Sequence, residues 1–242
     1  RKEVRHLARK KKNSKNDKLL TLKRRLLAHN SPKDPVAEQY RTIRTNIQFS
    51  GADEEIKSLV LTSSGQAEGK STTAANLAIV YAQQGLKVLL VDADLRRPTS
   101  HYTFRLENHT GLTNVLTRQS TLGQAVQNTE VPDLYLLTSG PIPPNPSELL
   151  ASNQMKEMLS EAKQQFDMVI FDTPPILAVA DAQILANQVD ASILIVSSGK
   201  TEKDAALKAK ELLTQAKSKL LGAVLNDRKI EEGNYYYYYG SN

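Results

Sequence analysis

Cysteine is absent from the 242-residue chain, so a disulfide framework and a thiolate zinc site are both excluded. Histidine is scarce: four residues, well dispersed, make a His-only metal centre a poor expectation. No apolar run approaches the ~20 residues needed to span a bilayer. The start is basic but no apolar segment follows it, so no secretory signal is expected and a cytosolic chain is predicted. Aromatic residues make up only 5% of the sequence, yet five of its nine tyrosines are consecutive: Tyr235, Tyr236, Tyr237, Tyr238 and Tyr239. So many adjacent rings cannot all face a core. Placed after Glu231, Glu232 and Gly233, they predict a mobile, solvated tail at residues 230–242.

A hydrophobic content of 40% and a charged content of 24% are ordinary for a soluble globular domain, and the length supports one sizeable core. The net charge of +6 is unevenly placed. Residues 1–30 hold twelve Lys/Arg against Glu3 and Asp17, a charge of +10, which leaves −4 for the rest. The basic character thus belongs to an arm, residues 1–32. A run such as Arg9–Lys12 can hold an anionic membrane face or nucleic acid, or simply be solvated. No aromatics are interleaved to stack bases, so nucleic acid is not the expected partner.

The remainder, residues 33–229, reads as alternating strands and helices. Asp34 and Pro35 suit the N-cap and first position of a helix whose Val36, Tyr40, Ile43 and Ile47 form an apolar face. Glu38, Arg41 and Arg44 step by three and form a charged stripe off that face. Strands are expected at Ile56–Thr62, Lys87–Val91, Leu134–Leu137, Met168–Phe171, Ala191–Val196 and Leu220–Leu225. Helices are expected at Ser71–Gln84, at two short pieces within Leu112–Gln127, from a cap at Ser147 to about Lys163, at Asp181–Asn187 and at Thr201–Lys217. The fold class is therefore α/β, a mostly parallel sheet with helices on both faces. Ligands of such sheets bind beyond the carboxyl ends of the strands.

Three constellations fall at such ends. Ser64-Gly65-Gln66-Ala67-Glu68-Gly69-Lys70-Ser71-Thr72 lies between a strand and a helix and closes as a phosphate loop does. Backbone N–H groups there can cradle phosphates, Lys70 can neutralise β/γ oxygens, and Ser71 can offer its hydroxyl to Mg²⁺. Asp92 and Asp94, one residue apart after an apolar strand, suit one metal-organising acid and one base. Asp172 ends a second apolar strand and suits a ligand of a Mg²⁺ water. A chance Gly-Lys-Ser turn or a capping acid would account for any one of these alone, but not for all three together.

Together these motifs resemble the deviant-Walker P-loop ATPases of the partition and septum-positioning type. Within them the sequence is more similar to the bacterial tyrosine kinases of capsular and exopolysaccharide synthesis, in their Gram-positive cytoplasmic form. The resemblance runs from about residue 33 to the C-terminus. It rests on Thr62–Thr72 as Walker A, Leu89–Arg96 as the family's Asp-x-Asp motif and Ile170–Pro175 as Walker B. It rests also on the Pro-rich Ser139–Leu150, on Glu38, Arg41 and Arg44, and on the tyrosine run. The partition ATPases carry an extra lysine where this chain has Gly65. The kinases often have Pro-Gly where it has Gln66-Ala67; if the loop needs φ > 0 there, Ala67 carries a cost.

The resemblance implies ATP and Mg²⁺ as cofactors. Gly65, Glu68, Gly69, Lys70, Ser71 and Thr72 would form the nucleotide loop, and Asn226 the adenine contact. Ser71, Asp94 and Asp172 would hold the metal or its waters, with Lys70 and Asp94 serving the transfer and Asp92 taking the tyrosyl proton. It further implies autophosphorylation of the tyrosine cluster in trans within a homo-oligomeric ring contacted through Glu38, Arg41 and Arg44. The implied partners are a transmembrane adaptor of the polysaccharide co-polymerase type, protein tyrosine substrates and a cognate tyrosine phosphatase. The implied place is the cytoplasm, peripheral to the inner face of the cell membrane through the adaptor. The alternatives are a non-kinase ATPase switch and a scaffold.

Overall fold

A computed structural model describes residues 26–50 and 55–228. The tyrosine run and most of the basic arm lie outside the described residues. A short helical turn, α1 (Leu27–Asn30), is followed by α2 (Pro35–Ser50), β1 (Ser58–Ser63), α3 (Lys70–Ala82), β2 (Val88–Asp92) and α4 (Ser100–Phe104). Then come α5 (Leu112–Leu116), α6 (Leu122–Ala125), β3 (Gln127–Asn128), β4 (Leu134–Leu137), α7 (Pro146–Ala151) and α8 (Asn153–Gln165). The order ends with β5 (Met168–Asp172), α9 (Asp181–Ala186), β6 (Ala191–Ser197), α10 (Lys203–Thr214) and β7 (Lys219–Asn226).

Among the described residues the strands form one seven-stranded sheet in the order β3-β4-β2-β5-β1-β6-β7. All neighbours are parallel except β3 and β4, so the expected mostly parallel sheet is present. Every residue of β1, β2 and β5 is buried, as expected of strands covered on both faces. Because successive side chains point to opposite faces, Val60, Leu89, Val91, Val169 and Phe171 join one core layer. Leu59, Leu61, Val88, Leu90 and Ile170 join the other.

Helix α3 lies in the second layer and is buried from Thr73 to Ala82. An apolar helix without a polar face must be covered on its outer side as well. Helix α2 does this through Ala37, Tyr40 and Ile47, with Val36 and Ile43 half-buried beside them. Asp34 accepts the Val36 N–H at 2.8 Å, the N-cap bond that Asp34-Pro35 predicts.

Three local expectations are corrected. The helix expected from Ser147 to about Lys163 is two helices, α7 and α8, divided at Ser152, whose extended backbone (ψ 161°) lets its hydroxyl accept from Met155 N. Ser147 caps nothing; it lies inside α7 and donates to Asp181 Oδ1 at 2.5 Å. The last helix starts at Lys203 rather than Thr201 because the Thr201 hydroxyl is engaged with Ser197 N and with Glu68. The described fold also reaches further back than residue 33. Leu26 (2% exposed) and Ala28 (0%) belong to the α2/α3 core, and Ala28 N donates to Asn76 Oδ1 at 2.9 Å.

Candidate active site

Strands β1, β2, β5, β6 and β7 all run in one direction, so their carboxyl ends gather at one rim. Strand β1 leads into the Ser64–Gly69 loop and α3, β2 delivers Asp92 and Asp94, and β5 delivers Asp172. The ends of β1 and β5 are locked together: Thr62 Oγ1 donates to Pro174 O at 2.9 Å and Thr173 Oγ1 to Leu61 O at 2.8 Å.

Lys70 lies at the centre. Its Nζ is 3.5 Å from Asp94 Oδ2, 3.6 Å from Asp172 Oδ1 and 3.3 Å from Ser71 Oγ. Burial opposes its charge, but Asp172, Asp94 and Asp92 outweigh this and hold its pKa above the ordinary value. Asp92 is fully buried. One oxygen accepts from Thr99 N (3.1 Å) and Ser100 N (2.9 Å), whereas Oδ1 has no hydrogen-bond partner. Burial, with the Asp172 and Asp94 charges added, pushes its pKa up to about 7. Asp172, 1% exposed, is also raised by burial, against the lowering effect of Lys70, and neither of its oxygens has a hydrogen-bond partner. Asp94, at 8% exposed, sits nearer the surface and accepts from Arg97 N at 3.0 Å.

The buried Asp172 carboxylate, held by ion pairing to Lys70 rather than by hydrogen bonds and with the Ser71 hydroxyl beside it, fits a hard oxygen-seeking cation. Mg²⁺ keeps several waters and takes further ligands from phosphates, so a few protein oxygens are enough to hold it. Ser71, Asp94 and Asp172 are the residues that would hold it.

The phosphate loop is tightly determined. Ala67 has φ 56°, the left-handed conformation in which a non-glycine residue is disfavoured. Gly69 has φ 92°, and a Cβ there would lie 1.9 Å from Asn226 Nδ2. Ser63 Oγ donates to Gly65 O at 2.7 Å, and Thr72 O accepts from Asn76 Nδ2. The Glu68 side chain does not face the rim. It is 4% exposed and accepts from Ser64 Oγ (2.9 and 3.0 Å) and Thr201 Oγ1 (2.8 Å), so only its backbone is free to serve a ligand. Asn226, at the end of β7, donates to Glu68 O at 3.2 Å.

The charged stripe on α2 is divided. Arg41 pairs with Glu38 and donates to Pro32 O, on the exposed side. Arg44 is part-buried and donates to Val80 O at 2.7 Å, in the last turn of α3. Sequence reasoning missed Lys200 and Thr201, which reach the phosphate loop from the turn after β6. Their signal was position alone, at a strand's carboxyl end. It also missed Asp181, wholly buried, which accepts from Arg96 Nε (2.8 Å) and from Ser147, tying the Asp-x-Asp loop to the Pro-rich segment.

Residues 61–220 match the AAA domain family AAA_31. The chain is 60% identical over 220 residues to tyrosine-protein kinase YwqD of Bacillus subtilis (strain 168), covering 91% of this chain and 93% of that protein. Among solved structures it resembles the chimerical protein CapA2B2, with a TM-score of 0.83 and 44% identity over 85% of this chain and 91% of the other. The kinase domain of Escherichia coli tyrosine kinase ETK superposes with a TM-score of 0.82 and 36% identity, covering 86% and 82% of the two chains.

Proposed function

This chain belongs to the bacterial tyrosine-protein kinases built on a P-loop AAA domain, and on that premise we propose that it phosphorylates its own C-terminal tyrosines in trans and so regulates capsular or exopolysaccharide synthesis and export. The observation that supports this reading most directly is the convergence of Lys70, Asp92, Asp94 and Asp172 at adjacent strand ends beside a phosphate loop.

In the reaction, a tyrosyl oxygen forms a bond to the γ-phosphorus of ATP, the bond to the bridging oxygen breaks, ADP leaves, and the phenolic proton passes to a base. A phenol with a pKa of about 10 is a poor nucleophile at neutral pH, so that proton needs an acceptor. Asp92 is the proposed one. A pKa of about 7 is poised for the task, and its Oδ1 is unoccupied by any other donor. Lys70 binds the β/γ oxygens, and the N–H groups from Gly65 to Thr72 cradle them. Mg²⁺, when bound through Ser71, Asp94 and Asp172, supplies neutralisation of phosphate charge. Asn226 contacts the adenine.

Transfer in trans needs a neighbouring subunit whose tail reaches the rim. Glu38 and Arg41 are proposed to meet that subunit, with the part of Arg44 not used on Val80 joining them. Phosphorylation adds about −1.5 to −2 charge per tyrosine. The modified tail is then repelled by the carboxylate rim, the ring loosens, and a cognate tyrosine phosphatase restores the starting state. Among the described residues no helix is long and apolar enough to cross a membrane. A transmembrane adaptor is proposed to supply that anchorage and full activity at the inner membrane face; likeness to the CapA2B2 chimera supports the partnership.

The test is incubation with Mg·ATP and a soluble adaptor fragment, then mapping of phosphotyrosine by mass spectrometry, with Lys70→Met and Asp92→Ala alongside. Phosphate on Tyr235–Tyr239 that is lost in both variants is the expected result. Nucleotide and adaptor binding without phosphate on those tyrosines would sink the tail reading.

A further inference from the structure

The phosphate loop is held from its outer side by a residue that none of the nucleotide motifs contains. Lys200 Nζ donates to the carbonyls of Gln66 (3.0 Å) and Ala67 (2.7 Å), and Asn226 Nδ2 donates to the next carbonyl, that of Glu68. In a trans peptide the C=O of one residue and the N–H of the next point in opposite directions. Pinning three successive carbonyls therefore aims the N–H groups of Ala67, Glu68 and Gly69 away from the two clamping side chains. None of these N–H groups donates to a backbone carbonyl among the described residues. They are placed to receive phosphate oxygens.

This arrangement requires Ala67 to stay at φ 56°, where glycine is at ease and alanine is not. A loop free to relax would move Ala67 toward negative φ and rotate the flanking peptides, turning their N–H groups out of the cradle. We propose that Lys200 is a positioning residue that holds the phosphate loop in its left-handed turn at Ala67 and so keeps the loop ready for nucleotide. The neighbouring Thr201 hydroxyl, 2.8 Å from Glu68 Oε1, ties the same turn to the loop a second time. The inference rests on the loop being the nucleotide site. Because Lys200 is exposed, its replacement leaves the core intact.

The proposal predicts coupling between Lys200 and Ala67. Wild type, Lys200→Met, Ala67→Gly and the double variant are compared by titration with a fluorescent ATP analogue and by steady-state kinetics. Lys200→Met should raise the analogue Kd and the KM for ATP by about five- to tenfold, with kcat little changed. In the Ala67→Gly background, where the turn costs nothing, the same substitution should cost less than about twofold. An equal loss in both backgrounds would mean that Lys200 acts on the nucleotide directly, and would overturn the proposal. So would a loss confined to kcat. If wild type binds no analogue, the nucleotide reading fails and takes the proposal with it; binding with strictly additive losses sinks the proposal alone.

Discussion

Asp92 and Asp172 are register partners on the adjacent parallel strands β2 and β5, 0% and 1% exposed, so two carboxylates stand side by side at the buried end of the site. Both are raised by burial, Asp92 to about 7 against about 3.9 for an ordinary aspartate. Between those values the folded chain holds a proton that the unfolded chain has released. The associated stability is fully present below about pH 4 and is lost as pH rises through about 7. In metal- and nucleotide-free buffer the melting temperature should therefore fall across that window. Asp92→Asn, which keeps an acceptor for Thr99 and Ser100 N–H but cannot ionise, should flatten the slope. An identical slope in the variant would show that Asp92 is not the group responsible.

Gly69 leaves no room for a side chain. A Cβ would meet Asn226 Nδ2 at 1.9 Å, and φ 92° is closed to alanine at low cost. Gly69→Ala should weaken binding of a fluorescent ATP analogue at least about tenfold. Adding Asn226→Ala should not restore binding, since it removes the clash but leaves the backbone strain and takes away the Glu68 carbonyl contact and the proposed adenine contact. Full recovery would show that the clash alone was at fault.

Asp181 collects three hydrogen bonds inside the protein, two from Arg96 and one from the Ser147 hydroxyl. Arg96 is 38% exposed in its side chain and can turn to water when its partner is lost, so the cost lies below that of a fully buried pair. Asp181→Ala should lower stability by about 2 kcal/mol, read from urea denaturation. It should also lower kinase activity, because Arg96 directly follows the Asp92–Leu95 segment that carries the site. Unchanged activity with reduced stability would limit Asp181 to a structural role.

The parallel sheet was legible because β1, β2 and β5 are short apolar runs, β1 entering a glycine-containing loop and β2 and β5 each ending in an aspartate. That same pattern placed Lys70, Asp92, Asp94 and Asp172 at one rim, since strand ends of a parallel sheet gather by construction. The division of α7 from α8 was not legible: Leu149, Leu150, Met155 and Met158 keep an apolar helical rhythm across Ser152, and only tertiary packing decides that the chain turns there. Lys200 was hidden for a different reason. Its role consists of contacts with residues more than a hundred positions away, and no local pattern marks a lysine in a turn as a clamp. Arg44 shows the converse, a residue whose spacing with Glu38 and Arg41 suggested one charged stripe off the apolar face. Each step of three residues falls about 60° short of a full turn, so the stripe winds around α2, and Arg44 meets the Val80 carbonyl while Arg41 stays with Glu38 on the exposed side.

The fold boundary gives the last prediction. Composition puts Leu26–Asn30 with the basic arm, because the preceding residues are so heavily charged. The described structure seats Leu26 and Ala28 in the core over α3 and bonds Ala28 through both its N–H, to Asn76, and its carbonyl, from Gln83 at 2.8 Å. A chain starting at Leu26 should therefore melt higher than one starting at Lys33. Leu26→Ala alone should cost about 2–3 kcal/mol, as for a buried leucine whose cavity can partly collapse. The α1 turn packs on the helix whose first residues are Lys70 and Ser71, so the shorter chain should also bind the ATP analogue more weakly. Equal melting temperatures for the two truncated chains would return the turn to the arm.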